Sequence, residues 1–118
     1  LETNIFLNSL EKNIEIHNVA LSDKIKKSFI KQFGINSGDC RILNKKEKNS
    51  HIIRSHKLDQ YTKSYNKNNS IIFMYAQGHE PEIFLGAKKT IFKRIPIVTE
   101  FMPSLFNTHA AIPFLELP

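Results

Sequence analysis

Two short apolar runs, at residues 71–74 and 95–98, enclose a segment with helical periodicity and set the predicted organisation of the chain. The first run does not alternate between apolar and polar residues, which is typical of a strand covered on both faces. From residue 82 to about residue 92, apolar residues recur at helical spacing, and lysines gather near the end, where the helix dipole favours cations. A strand, a helix and a strand in about thirty residues form the crossover unit of a parallel sheet. The pattern therefore predicts an α/β domain with a mostly parallel sheet.

Elsewhere the patterns are shorter and predict single elements. Residues 14–21 alternate and then become apolar, as a strand entering a sheet does. The other predicted elements are a helix between Asn4 and Asn13, a turn at 34–39, strands at 41–43 and 52–53, a helix around 59–63, and the start of a helix at 104–106. Phe29, Ile30 and Phe33 fit either a strand or a helix.

Polar residues follow both apolar runs. Ligands of open parallel sheets bind beyond the carboxyl ends of the strands, so these residues are predicted to share one rim. They are Gln77, Gly78, His79 and Glu80 after the first run, and Thr99 and Glu100 after the second. Any strand-to-helix loop is polar, however, and Glu80 also fits the simpler role of an acid at a helix start.

Three segments of this stretch carry a family resemblance: Gln77-Gly78-His79-Glu80, Phe84-Leu85-Gly86-Ala87, and Ile-Pro-Ile-Val-Thr-Glu-Phe at 95–101. In order and spacing they resemble the closing part of the FkbM-type methyltransferases, which transfer a methyl group from S-adenosylmethionine. Upstream, Asn-Val-Ala-Leu-Ser-Asp at 18–23 resembles a further segment of the same family. The main departure is Tyr75, which stands where the family usually has an aspartate.

The resemblance implies a fold, a cofactor and a set of contacts. It covers about residues 4–102 and implies a Rossmann-like methyltransferase sheet that is incomplete at its N-terminal side. It implies S-adenosylmethionine as the cofactor and a sugar or another small metabolite as the acceptor of an O-methyl transfer. The cofactor contacts that it implies are Ser22, Asp23, Tyr75, Gln77 and Gly78. Ser22 and Asp23 fit equally well a strand-end turn, in which short polar side chains bond to nearby backbone.

Methyl transfer to an oxygen requires that the acceptor be aligned and relieved of its proton. His79 is the candidate base, because the unperturbed pKa of histidine lies near neutrality. Glu80 or Glu100 would orient this histidine or hold the acceptor. The alternative is a non-catalytic binding or interaction domain. Tyr75 and the lack of a Gly-rich cofactor turn in a chain with four glycines both motivate that alternative.

Composition narrows the remaining classes. The 118 residues predict one domain, and 41% hydrophobic with 24% charged residues is ordinary for a soluble globular protein. The net charge of +6 raises nucleic-acid binding as a third hypothesis, but the positive charges are scattered and mostly lysine, which disfavours it. The five histidines and one cysteine lack the spacing of a metal site. A single cysteine forms no internal disulfide, which fits a cytoplasmic location, and no apolar stretch is long enough for a membrane span.

Overall fold

The computed structural model describes residues 1–35 and 38–100. In chain order its elements are α1 (Glu2–Leu7), β1 (Ala20–Leu21), β2 (Lys26–Gln32), β3 (Cys40–Leu43), β4 (His51–His56), a 3-10 helix (Leu58–Gln60), β5 (Ile72–Met74), α2 (Glu80–Leu85), α3 (Lys88–Phe92) and β6 (Ile97–Thr99). The predicted helix start at 104–106 lies outside the described residues, as do positions 36 and 37 of the predicted turn.

The larger sheet has four strands in the order β1-β4-β2-β3, and most of its pairing is antiparallel. Strand β2 runs antiparallel to both of its neighbours, and only β1 and β4 are parallel. The prediction of a mostly parallel, Rossmann-like methyltransferase sheet is therefore wrong. The physical reason is the length of a connection: a parallel pair needs a crossover of a dozen or more residues, and the segment joining β2 to β3 is too short for one. Strand β4 then pairs with the other edge of β2 and runs in the same direction as β3.

The two apolar runs that frame the sequence pattern form a separate two-stranded sheet. Strands β5 and β6 are parallel, with Ile72 opposite Ile97 and Met74 opposite Thr99. The prediction that these runs lie side by side and point the same way is confirmed. The prediction that the first run is covered on both faces is wrong, because Ile71 is 67% exposed and Phe73 is 80% exposed.

The single helix predicted from residue 82 to about residue 92 is wrong, since two short helices occupy the segment. Helix α2 ends before Gly86, which lies so close to β1 that a Cβ atom there would meet the Ser22 carbonyl oxygen at 2.1 Å. Helix α3 then begins with help from Asp59, whose carboxylate accepts hydrogen bonds from the backbone N–H groups of Lys89 and Thr90. Both causes are tertiary contacts, which helical periodicity does not report.

Several shorter elements differ from their predicted bounds. The strand predicted at 14–21 is reduced to β1, and Ile14 and Ile16 before it are exposed, because this segment pairs only at its end. The helix predicted around 59–63 is the 3-10 helix and a turn, and α1 begins and ends earlier than predicted. The strands predicted at 41–43 and 52–53 are confirmed as parts of β3 and β4, and Phe29 and Ile30 belong to a strand.

A compact apolar cluster joins the 3-10 helix, β5, α2 and α3. Its buried members are Leu58, Met74, Ile83, Phe84 and Ala87, and partly buried residues, among them Leu21 and Ala76, pack against it. Because Leu21 belongs to β1 and Ala76 follows β5, this cluster holds the end of the larger sheet beside the turn that leads into α2. None of the described helices has the length and apolar character needed to cross a membrane.

Candidate functional site

The turn between β5 and α2 has a constrained backbone. Gln77 and Gly78 both have positive φ angles, 50° and 84°, and the N–H of His79 donates to the Ala76 carbonyl at 3.1 Å. Two successive positive φ angles define a tight turn that favours glycine, so the non-glycine Gln77 occupies a region that costs energy. Such strained positions persist where the surrounding structure fixes them, and they cluster at functional sites.

Glu80 fixes this turn from inside. Its Oε1 atom accepts a hydrogen bond of 2.9 Å from the backbone N–H of Ala76, and the residue is only 1% exposed. Its second oxygen, Oε2, is buried and has no hydrogen-bond partner among the residues that the structure describes. The main role of Glu80 is therefore structural: one carboxylate oxygen stabilises the turn, and the other makes no contact of this kind with the described residues.

Ser22 immediately follows β1. It meets the residue before α2, His79, and the residue after α2, Gly86. Its N–H donates to the His56 carbonyl at 2.8 Å, which continues the parallel pairing by one residue. Its side chain is fully buried, and its hydroxyl donates to Asp23 Oδ1 at 3.1 Å. Because Gly86 has no side chain, its backbone can approach the Ser22 carbonyl closely enough to cover this residue.

His79 joins the two segments. Its Nε2 atom lies 3.2 Å from Ser22 Oγ, although the residues are 57 positions apart in the sequence. Since Ser22 uses its one hydroxyl hydrogen on Asp23, the network assigns the N–H to Nε2 of His79 as the donor. The other ring nitrogen, Nδ1, is then an acceptor that faces Glu82 Oε2 at 3.7 Å, too far for a hydrogen bond. Ser22, Asp23, His79 and Glu82 are called the His79 cluster below.

The electrostatics of the cluster keep His79 neutral at pH 7. Burial, followed by the positive charge of Lys26, lowers the pKa of His79 to about 4, and Asp23 opposes this shift. Burial is also the largest cause that raises the pKa of Glu82 above its ordinary value. The contact between His79 and Glu82 is consequently not an ion pair near neutrality. Lys24 and Lys26 each lie 3.7 Å from a carboxylate oxygen of Asp23 and balance its charge.

The order of groups Ser22, His79 and Glu82 matches that of a hydrolytic triad, but the cluster does not fit that chemistry. A triad serine donates its proton to the histidine and exposes its oxygen to the substrate. Here the serine hydroxyl donates to Asp23 instead, and Ser22 has no exposed surface. The arrangement is a buried polar network that positions His79, whose side chain is 14% exposed.

The structure brings most of the residues predicted from sequence to one place and leaves two at its margin. Ser22, Asp23 and His79 are in direct contact, and Gln77, Gly78 and Glu80 form the adjoining turn. Tyr75 immediately follows β5 and is 63% exposed. Glu100 immediately follows β6, so both residues come directly after the Met74–Thr99 pair. The Oε2 atom of Glu100 is buried and has no hydrogen-bond partner within the described part of the chain.

Sequence reasoning missed three residues that shape this site: Lys26, Glu82 and Gly86. Lys26 is one of many scattered lysines, and Glu82 has the ordinary pattern of an acid at a helix start. Gly86 had a signal, a glycine inside a helical pattern, which often marks close packing. Within residues 1–35 and 38–100, no three histidine, cysteine, aspartate or glutamate side chains are grouped so that they could hold a metal ion.

Comparison with known proteins gives no assignment, because no protein-family profile, no curated protein and no solved structure matches this chain. The resemblance described from the sequence motifs therefore stays a prediction, and the function has to be argued from the site.

Proposed function

We propose that this chain provides part of the site of an S-adenosylmethionine-dependent methyltransferase related to the FkbM type. One observation carries the proposal: the contact of 3.2 Å between His79 Nε2 and Ser22 Oγ. The two residues belong to different motif segments of the resemblance, and a long stretch of chain separates them. Their meeting is expected if both segments serve one site, and a chance resemblance of either segment gives no reason for it.

The residues at hand divide into those that face outward and those that support them. Asp23 is partly exposed, and Gln77 is half-buried in the turn with positive φ angles, so these two are the candidates for direct contact with the cofactor. Ser22 is fully buried, and we assign it a positioning role through its contact with His79. Tyr75 is exposed beside the turn and would offer a ring face at the margin of the site.

S-adenosylmethionine, when bound, supplies an electrophilic methyl group on a positively charged sulfonium. The partly exposed carboxylate of Asp23 is an acceptor beside the turn that such a ligand could reach. Hydroxyl or amine donors of the ligand would pair with it, and a hydrogen bond to a charged group contributes about 1.5–3 kcal/mol. The acceptor is proposed to be a saccharide or another small molecule bearing a hydroxyl.

His79 is proposed to receive the acceptor proton at Nδ1. This nitrogen is unprotonated in the network, and the imidazole is neutral at pH 7, so it is competent to accept a proton without first losing one. Glu82 lies on the same side of the ring, and its carboxylate would stabilise the imidazolium once it forms. Nε2 stays bonded to Ser22, which keeps the ring in a single orientation.

The low pKa of His79 favours a second candidate function, that of a non-catalytic interaction domain. A histidine with a pKa of about 4 is a weak base at neutral pH, and efficient proton transfer prefers a catalytic pKa near the working pH. In that case the His79 cluster would serve only to join β1 to α2.

Calorimetric titration of the folded chain with S-adenosylhomocysteine, the product form of the cofactor, separates the two candidates. We expect saturable heat, and about tenfold weaker binding after Asp23→Asn, a loss that corresponds to about 1.4 kcal/mol. The matched control is Asp39→Asn, which also removes a partly exposed aspartate with a basic partner, but beyond the opposite end of β2. A folded chain that gives no saturable heat would contradict the methyltransferase proposal and favour the interaction domain.

A further inference from the structure

A second cleft lies between residues 11–17 and the segment that follows the 3-10 helix, and it shares no lining residue with the His79 cluster. Its volume is about 770 Å³. That size falls within the range of small-molecule sites and far exceeds what a metal ion requires. No motif of the sequence resemblance contributes to it, so the methyltransferase proposal leaves it unexplained.

Aromatic rings form one wall of this cleft, and the orientation of the Tyr61 ring is fixed. The Tyr61 ring lies 4.6 Å from the His17 ring, centroid to centroid, at a tilt of 55°. The Tyr61 hydroxyl is hydrogen-bonded to His56 Nδ1 at 2.8 Å, which prevents the ring from turning away. Tyr65 adds a second tyrosine ring and is 47% exposed. A ligand that meets Tyr61 has little cost of ordering that ring, because its hydrogen bond already holds it in place.

The charged side chains that line the cleft have a net charge opposite in sign to that of the whole chain. Glu11 and Glu15 supply two carboxylates and Lys12 supplies one ammonium group, whereas the chain carries a formal net charge of +6. Glu15 Oε1 also lies 3.2 Å from His17 Nε2, which ties the acidic side to the aromatic wall. Phosphate or carboxylate ligands would be repelled here, and cations would be attracted both by the carboxylates and by the faces of the tyrosine rings.

We propose that this cleft binds an organic cation: an amine or quaternary ammonium group carried on a small molecule. The cationic head would lie against Tyr61 and Tyr65, between the carboxylates of Glu11 and Glu15. Aromatic rings combined with carboxylates are the chemistry by which proteins recognise quaternary ammonium groups. The volume beyond the head leaves room for the rest of the molecule.

Titration of the chain with choline, followed by NMR shifts of the ring protons of Tyr61, Tyr65 and His17, tests this inference. The control ligand is dimethylbutanol, the uncharged carbon isostere of choline, which has the same shape without the charge. We expect saturable shifts with choline and binding of the isostere that is about 2- to 30-fold weaker. Equal affinity for the two ligands would overturn the inference, since only apolar contact would remain, and so would the absence of saturation by choline.

Variants of exposed residues locate the effect without unfolding the chain. Tyr65→Leu should reduce the preference for choline over its isostere, whereas Tyr65→Phe, which keeps the ring face, should retain it in full. Glu15→Gln should weaken choline binding several-fold, and Glu2→Gln, an exposed change in α1 outside the cleft, should leave it unchanged. Full preference in Tyr65→Leu, or equal losses in Glu15→Gln and Glu2→Gln, would refute the placement in this cleft.

Discussion

The replacement of Gly86 by alanine tests the packing on which the candidate site depends. An alanine Cβ would lie 2.1 Å from the Ser22 carbonyl oxygen and 3.1 Å from its carbonyl carbon, whereas ordinary contact begins near 3.4 Å. Both obstacles are backbone atoms, so no side chain can rotate away. The backbone angles of Gly86, φ −88° and ψ 2°, are accessible to alanine, so the cost arises from the clash and its consequences and not from a left-handed backbone.

The magnitude follows from what must move. Relief of the clash requires β1 and the α2–α3 junction to separate by roughly 1 Å, and overpacking of this kind costs about 1–3 kcal/mol. The same separation weakens the hydrogen bonds that Ser22 makes with His56 and His79, worth about 1 kcal/mol each. Alanine returns about 0.4–1 kcal/mol by restricting the unfolded chain. We expect a net loss of about 3 kcal/mol in the free energy of unfolding.

Urea denaturation followed by circular dichroism measures this loss, and Gly34→Ala is the matched control. Gly34 has φ +67°, and an added Cβ there meets no atom of residues 1–35 and 38–100 within 4 Å, so its replacement should carry only the backbone penalty, about 1 kcal/mol. Gly86→Ala should also let the pKa of His79 rise from about 4 towards 6.5, as measured by NMR, while Gly34→Ala leaves it in place. A smaller loss for Gly86→Ala than for Gly34→Ala, with an unchanged His79 pKa, would refute this reasoning.

Three further predictions concern buried polar groups. His79 binds a proton below pH 6.5 in the unfolded chain but only near pH 4 in the folded chain, so the free energy of unfolding should fall by at most about 3 kcal/mol between pH 6.5 and pH 4. Urea titrations at several pH values should show a smaller fall in His79→Asn, after allowing for Glu82, whose raised pKa contributes in the opposite direction. Asp59→Asn should cost about 1 kcal/mol at pH 7. Burial alone would raise the Asp59 pKa, but the hydrogen bonds from α3 outweigh it and lower the pKa below its ordinary value of 3.8; the loss should therefore persist down to pH 3.8 and shrink only as the pH falls through the lowered pKa, and a loss already gone at about pH 5 would contradict this. The buried hydroxyls of Ser28 and Ser55 are hydrogen-bonded at 2.6 Å, so Ser28→Ala should lower the free energy of unfolding by about 1–2 kcal/mol because it leaves the Ser55 hydroxyl without this partner. Thermal unfolding should show a smaller loss in the double variant Ser28→Ala, Ser55→Ala than in Ser28→Ala alone.

The parts of the fold that could be predicted from the sequence are those set by short local patterns of residues. The apolar runs at 71–74 and 95–98 and the intervening helical pattern are enough to propose a parallel pair, and β5 and β6 form one. The segments around Ser22 and His79, which the methyltransferase resemblance assigns to one site, are in contact. The parallel pair follows from a short local pattern, whereas the shared role of Ser22 and His79 stays a prediction of the resemblance.

The direction of the larger sheet could not be predicted in this way. It depends on the hairpin between β2 and β3, which a backbone hydrogen bond of 2.8 Å from the Phe33 N–H to the Asp39 carbonyl closes. Exposure of Phe73 likewise depends on what covers the sheet, not on the residue. The low pKa of His79 arises from burial and from Lys26, which is far away in the sequence. The sequence therefore predicts a base with a pKa near neutrality, whereas the folded chain makes His79 a weaker base.

The contact between Asp59 and the first turn of α3 has a consequence for the order in which the chain folds. Helix α3 has five residues, and helices of this length do not form on their own in water, because their nucleation is unfavourable. The carboxylate that completes its first turn comes from about thirty positions earlier. We therefore expect the strand after α3 to reach its neighbour only once the 3-10 helix has docked, and a peptide that begins after residue 60 to stay without structure even though it contains both strands of the parallel pair.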